Sequence, residues 1–207
     1  MNKKEFFSAH DPKIVSKLQN SIIGIAGAGG LGSNIAVSLT RAGIGKLIIS
    51  DFDKIEPSNL NRQQFFIDQI GTPKVIALLE NLKKISRFTE YQVHEIKLNE
   101  ENIPIIYKDV DILIEAFDKA EMKKTLIETW FMNYPNKPLI AASGLSGWGK
   151  NEILHTRKID NLYICGDEET NLIEGISPMA PRVGIVANMQ ANLVLELLLN
   201  NYENNKS

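Results

Sequence analysis

Ile22-Ile23-Gly24-Ile25-Ala26-Gly27-Ala28-Gly29-Gly30-Leu31-Gly32-Ser33, then Asn34 to Ala42 at helical spacing, then Lys46-Leu47-Ile48-Ile49-Ser50-Asp51, decides how this chain is read. An apolar run, a glycine-rich turn, a helical pattern and a second apolar run make a strand–turn–helix–strand unit. Gly-x-Gly-x-x-Gly stands at the turn. In this pattern Gly27 serves a tight turn, Gly29 lets phosphate approach the backbone, and Gly32 lets the helix lie close to the strand. Free N–H groups at the helix start, from Gly30 on, favour a polyphosphate. Asp51 ends the second strand, where it can accept a hydrogen bond from a ribose hydroxyl. This spacing suits a dinucleotide and ATP equally.

The continuation narrows the choice. Phe52-Asp53-Lys54-Ile55-Glu56-Pro57-Ser58-Asn59-Leu60-Asn61-Arg62-Gln63 follows, and then Gly71-Thr72-Pro73-Lys74. A dinucleotide pyrophosphate is already met by the helix N-terminus, so an oxidoreductase site leaves Asn59, Arg62 and Lys74 idle. A triphosphate uses them: Arg62 can grip phosphate oxygens with two N–H groups and Lys74 supplies a point charge.

Together these motifs resemble the ThiF/MoeB family of adenylyltransferases for ubiquitin-like sulfur carrier proteins, over about residues 20 to 200. The resemblance implies a nucleotide site of Gly27, Gly29, Gly30, Asp51, Ser58, Asn59, Arg62 and Lys74, with ATP and Mg²⁺ as cofactors. It implies that Arg62 and Asp118 are catalytic, and that the acceptor is a carrier ending in Gly-Gly. Asp118 lies just past a predicted strand, Val110–Ala116. A strand-end acid beside a triphosphate can hold Mg²⁺ through one carboxylate; capping the helix that begins near Lys119 is the plainer role. Family members usually carry Asn after this acid, and this chain has Lys119. The ending Met179-Ala180-Pro181-Arg182-Val183-Gly184 looks like a short subfamily linked to thiamine biosynthesis. The resemblance also implies a homodimer, with an N-terminal arm lending a basic residue (Lys3, Lys4 or Lys13) to the neighbouring site. Gly166–Pro181 resembles the family's crossover loop.

Cys165 is the only cysteine. Family members that bind structural zinc use two Cys-x-x-Cys pairs, so no zinc is expected here. Cys165 is either a sulfur-handling thiol or a small buried apolar residue. The sulfur donor is not legible. Trp148, in a glycine-rich stretch, is a candidate partner contact, whereas Trp130 sits in a helical apolar pattern and reads as core.

Composition is that of an ordinary globular chain: 207 residues, 43 % hydrophobic, 23 % charged, net charge −2. A domain this long buries roughly 70 % of its unfolded surface, so one core suffices. The expectation is a single domain over residues 1–207, with an arm and helix at 1–20 and a frayed tail at 200–207. No global field favours nucleic acid or an anionic membrane. The N-terminus lacks a signal-peptide pattern, no uninterrupted apolar run reaches membrane-spanning length, and cytoplasm is the default. Alternating strand and helix patterns predict a doubly wound, mainly parallel Rossmann-like α/β sheet, with a short antiparallel extension over 151–164. Residues 1–9 read as a mobile arm. The rival functions are adenylation of another acceptor (a molybdopterin-type carrier or a tRNA base carboxylate) and an NAD-dependent oxidoreductase.

Overall fold

Apolar runs bounded by turn residues form the strands, and these pair into one seven-stranded sheet. A computed structural model describes residues 2–170 and 177–203. In chain order the strands are Ile22–Ala26 (β1), Lys46–Asp51 (β2), Glu90–Glu95 (β3), Ile112–Glu115 (β4), Leu139–Ser143 (β5), His155–Ile159 (β6) and Leu162–Gly166 (β7). The helices are Lys3–Phe6 (α1), Pro12–Gln19 (α2), Gly30–Ala42 (α3), Lys74–Ile85 (α4), Ile103–Ile106 (α5), Ala120–Asn133 (α6) and Ala180–Glu203 (α7). The sheet order is β3-β2-β1-β4-β5-β7-β6, parallel except that β6 runs antiparallel to β7. This is the expected doubly wound sheet with its antiparallel extension.

Side-chain alternation sends each strand's apolar residues to two cores. Ile23, Ile25, Leu47, Ile49, Ile112, Ile114, Ile140 and Ala142 face one core, which also takes the apolar stripes of α3, α4 and α7. Ala26, Ile48, Leu113, Leu139 and Ala141 face the other, against α5 and α6, with Tyr107 and Trp130 fully buried. Burial on both faces is what parallel strands require. Each fully buried Ile or Leu contributes roughly 1.5–3 kcal/mol relative to exposure.

The helix bounds follow from caps. Asp11 accepts the Lys13 N–H at 2.8 Å and starts α2 with Pro12 in its first turn. Gly43, at φ 96°, ends α3 by donating to the Leu39 and Thr40 carbonyls.

Two expectations change. Within the expected loose arm 1–9, residues 2–9 are ordered: Asn2 and Glu5 form a reciprocal capping box on α1, and the Phe7 ring is buried over Gly43. A side chain at Gly43 would lie 2.6 Å from that ring. The C-terminal helix runs Ala180–Glu203, where a frayed tail was expected from 200. Pro181 fits its first turn because no intrahelical N–H is needed there. Ala180–Leu199 is long and apolar enough, by length and composition, to cross a membrane. In this fold it packs along α3, with Val183, Val186, Ala187, Ala191 and Val194 buried. The central part of the expected crossover loop, 171–176, lies outside the described residues.

Candidate active site

The sheet order reverses between β1 and β4, so the loops at their carboxyl ends diverge and leave a crevice, where open α/β sheets bind ligands. A cleft of about 500 Å³ opens there. Its walls include Gly27, Gly29, Gly30, Asp51, Arg62, Lys74 and Asp118. Residues spread over more than ninety positions of sequence converge on it.

The glycine turn is built as the spacing predicts. Gly27 has φ 107°, and a side chain there would strike the Ala116 carbonyl. At Gly32 a Cβ would lie 1.8 Å from the Gly27 carbonyl oxygen, so α3 rests directly on the turn. At Gly29 a Cβ would meet only Gln63 Nε2 at 3.8 Å and would project into open space, which a phosphate can use. Gly29 is the N-cap of α3, and no side chain caps its first turn. The N–H groups there stay available for an anion, reinforced by the helix dipole.

Asp51 closes this turn from β2. Its carboxylate accepts from Ala28 N–H at 2.7 Å and Asp53 N–H at 2.8 Å. Burial pushes its carboxyl above the ordinary value, against those donors and the nearby Lys74. Lys74 stands at the first position of α4, buried, with Nζ 2.8 Å from Asp53. Asp53 therefore compensates an ammonium held inside the wall. Arg62 donates to its own turn, to Ser58 O at 3.1 Å and Asn61 Oδ1 at 2.8 Å.

Ser58 and Asn59, expected in the nucleotide site, are not among the residues that line the cleft. The Asn59 side chain is used locally, accepting the Glu56 N–H at 3.1 Å to close the turn that carries Arg62. Cys165 is also away from the wall. It has no exposed surface, its Sγ lies 3.5 Å from Thr156 Oγ1, and burial pushes the thiol up. These are properties of a packed thiol, not of a reactive one.

Asp118 is exposed in the cleft and takes no hydrogen bond among the described residues. The N-cap of α6 is Lys119, so Asp118 does not cap that helix. Among the described residues no group of three or more His, Cys, Asp or Glu could hold a metal. One free carboxylate facing an anion-ready turn still fits Mg²⁺, which typically takes one or two carboxylates and completes its octahedron with phosphate oxygens and water.

Sequence reasoning missed four residues. Gln63 lines the cleft with its buried Oε1 unpartnered. Lys119 and Lys123 line the opposite wall one helical turn apart, and Lys123 meets the fully buried Glu115 at 2.6 Å. Burial raises the Glu115 carboxyl, and Lys123 opposes that shift. The signal was present: two lysines at i and i+4 directly after a strand-end acid mark one helix face.

Sheet, switch-point crevice and uncapped helix define a Rossmann-like α/β protein with a cleft suited to a polyphosphate. The chain belongs to the ThiF family, whose pattern it matches over residues 2–207. It is 31 % identical over 188 residues to the adenylyltransferase and sulfurtransferase MOCS3 of Caenorhabditis briggsae, a match covering 87 % of this chain and 46 % of that protein. The chain thus spans less than half the length of this relative. Among solved structures it resembles E. coli tRNA N6-threonylcarbamoyladenosine dehydratase, TcdA, in complex with AMP. That match has TM-score 0.86 and 17 % identity, covering 96 % of this chain and 94 % of the other. The same enzyme in complex with ATP gives TM-score 0.82 at 19 % identity, covering 97 % and 94 %. At these identities the structural matches speak to fold.

Proposed function

We propose that the chain uses ATP to adenylate the C-terminal glycine carboxylate of a ubiquitin-like sulfur carrier protein, releasing pyrophosphate. The observation that carries this is the convergence in one cleft of the uncapped α3 N-terminus, Asp51, Arg62, Lys74 and a free Asp118. The MOCS3 relative is an adenylyltransferase and sulfurtransferase by name, which agrees with the first half of such chemistry.

Mechanism follows from charge. A glycine carboxylate is ionised at pH 7 and needs no general base. One of its oxygens attacks the α-phosphorus in line; a new P–O bond forms as the bond to the bridging oxygen breaks, and that electron pair leaves on pyrophosphate. The barrier is anion meeting anion, so catalysis is positioning and electrostatic stabilisation. Asp51 orients the ribose, the Gly29–Gly32 turn and Lys74 hold phosphates, and Arg62 exchanges its turn contacts for phosphate oxygens. Asp118 would hold Mg²⁺, which neutralises phosphate charge when bound. The product is a carrier acyl-adenylate, ready for a sulfur donor. The thiamine-type carrier is proposed on the Met179–Gly184 resemblance; a molybdopterin-type carrier and a tRNA base carboxylate are the rival acceptors. The enzyme is proposed to act as a homodimer.

The test is carrier-dependent exchange of labelled pyrophosphate into ATP, with each acceptor tried separately. Wild type is expected to exchange only with Mg²⁺ and a Gly-Gly carrier. Removing one preorganised electrostatic partner costs about 10²–10³ in rate, so Arg62→Ala and Asp118→Asn should each drop exchange by that order while nucleotide binding falls far less. Full exchange in both variants removes these residues from the mechanism. NAD reduction with no exchange hands the chain to the oxidoreductase reading.

A further inference from the structure

Glu115 is the last residue of β4, and its carboxylate has no exposed surface. Burying a charge is costly unless it is paired and hydrogen-bonded, and this one is tied on every side. Oε1 accepts the Phe117 N–H at 2.6 Å, and Oε2 meets Lys123 Nζ at 2.6 Å. Lys123 also donates to the Ala142 carbonyl at 2.9 Å, while the Ala142 N–H reaches back to Oε2 at 3.5 Å. Below, Gln190 of α7 donates to the Glu115 carbonyl at 3.2 Å.

These bonds join three segments. Phe117 N–H fixes the turn that carries Asp118, Lys123 anchors the first turns of α6, and Ala142 is the penultimate residue of β5 beside Ser143. All three border the cleft on the side opposite Arg62 and Lys74. Stability alone does not call for such a pair, because well-packed apolar residues commonly serve as well or better. A charged brace does fix geometry: the Glu115 carboxylate bends back over its own chain and sets the direction of the two residues that follow.

We propose that Glu115 and Lys123 are positioning residues, which together hold the Asp118 turn and the end of β5 in register so that Asp118 meets the metal–triphosphate. The inference rests on the proposed adenylation. It adds that the Asp118 side of the cleft is set by a buried ion pair rather than by apolar packing.

Three variants test it. Glu115→Gln keeps the shape and removes the charge, Lys123→Met removes the cation, and Lys123→Arg keeps a cation able to reach both partners. ATP affinity is measured by calorimetry with and without Mg²⁺, together with pyrophosphate exchange and unfolding by denaturant. A misplacement of about 1 Å costs on the order of 10² in rate. Glu115→Gln and Lys123→Met should therefore lose exchange by about that factor. Both should lose the tightening that Mg²⁺ gives to ATP, and Glu115→Gln should do so with metal-free affinity at wild-type level. Lys123→Arg should recover both readouts. Glu115→Gln carries the test where Lys123→Met fails to fold. Variants that lose stability but keep Mg²⁺-dependent affinity and exchange overturn the positioning role and leave a structural brace. If no acceptor supports exchange in wild type, the adenylation reading fails, and Mg²⁺-dependent affinity alone decides the role of the pair. A wild type that binds no ATP overturns both.

Discussion

Lys74 is a buried ammonium paired with the half-exposed Asp53 at 2.8 Å, with Asp51 nearby. An arriving triphosphate offers it a stronger partner without first desolvating the cation, because that has been done by the fold. A hydrogen bond to a charged group is worth about 1.5–3 kcal/mol. Lys74→Met should therefore weaken ATP binding by about 10- to 100-fold, with a shallower dependence on salt. Calorimetry at two ionic strengths checks this, and unchanged affinity would remove Lys74 from the site. The contrast with Arg62 is instructive, since its guanidinium rests on its own turn and is predicted to act mainly on turnover. Cys165 is the opposite kind of residue. Its Sγ is enclosed and its thiol is held protonated by burial. We expect Cys165→Ala to leave pyrophosphate exchange intact, and the native thiol to resist iodoacetamide at pH 7 until the protein is denatured. Rapid labelling of the folded enzyme would reopen the sulfur-handling role.

Among the elements, the start of α7 and the segment after β7 are locked by a second buried ion pair, Asp167 with Arg182. Arg182 also donates to the Gly149 carbonyl. Asp167 Oδ1 accepts from Thr170 N–H at 2.8 Å and Glu169 N–H at 2.9 Å. Burial works to raise this carboxyl, but the Thr170, Glu169 and Arg182 donors outweigh it and hold it down to about 2, against an ordinary 3.8. The sign is that of a depressed carboxyl. The folded state binds the proton less readily than the unfolded chain, so the stabilisation is complete above about pH 4 and is lost as pH falls towards about 2. Removing one partner of a buried pair strands the other charge, at a cost of about 3–5 kcal/mol. Asp167→Asn should thus be much less stable than wild type to urea at pH 7, with the gap narrowing as pH drops from 4 towards 2. A gap that stays constant over that range refutes the assignment. Neither pairing was legible in the sequence, although the Lys119 and Lys123 face was: the burial of Glu115 and Asp167 is set by tertiary packing, and a buried charge leaves no periodic trace. The local devices were legible: the Gly27–Gly32 turn, the Asp11–Pro12 helix start and the two-faced apolar strands each follow from neighbours in sequence.

At the scale of the molecule, order from strand–helix alternation gave the sheet, and the glycine turn placed the cleft at its switch point. Asp51, Arg62, Lys74 and Asp118 arrive there because each lies at or close to an element end on the same side of the sheet. Motif position alone did not show that the Asn59 side chain is engaged by its own turn. The α1 arm was misread because Phe6 and Phe7 were not weighed as anchors: Phe7 is buried, and Phe6 packs against the Phe88 ring with centroids 5.5 Å apart. What remains unpartnered is apolar surface. Phe66 and Ile67 are 59 % and 79 % exposed on the segment that links Arg62 to the Lys74 helix, with exposed Ile70 on the same segment and Ile76 in the first turn of that helix. Adjoining exposed apolar residues of this size mark an interaction surface more often than bare solvent contact. A second copy of the chain seated there would bury these side chains and brace the loop carrying Arg62. We therefore expect sedimentation at micromolar concentration to give twice the 23.2 kDa chain mass. Ile67→Asp places a charge where the interface would be dry, and should shift the protein to a folded single chain with weaker exchange. Wild type sedimenting only at 23.2 kDa refutes the dimer. A dimer that survives Ile67→Asp places the contact on another face.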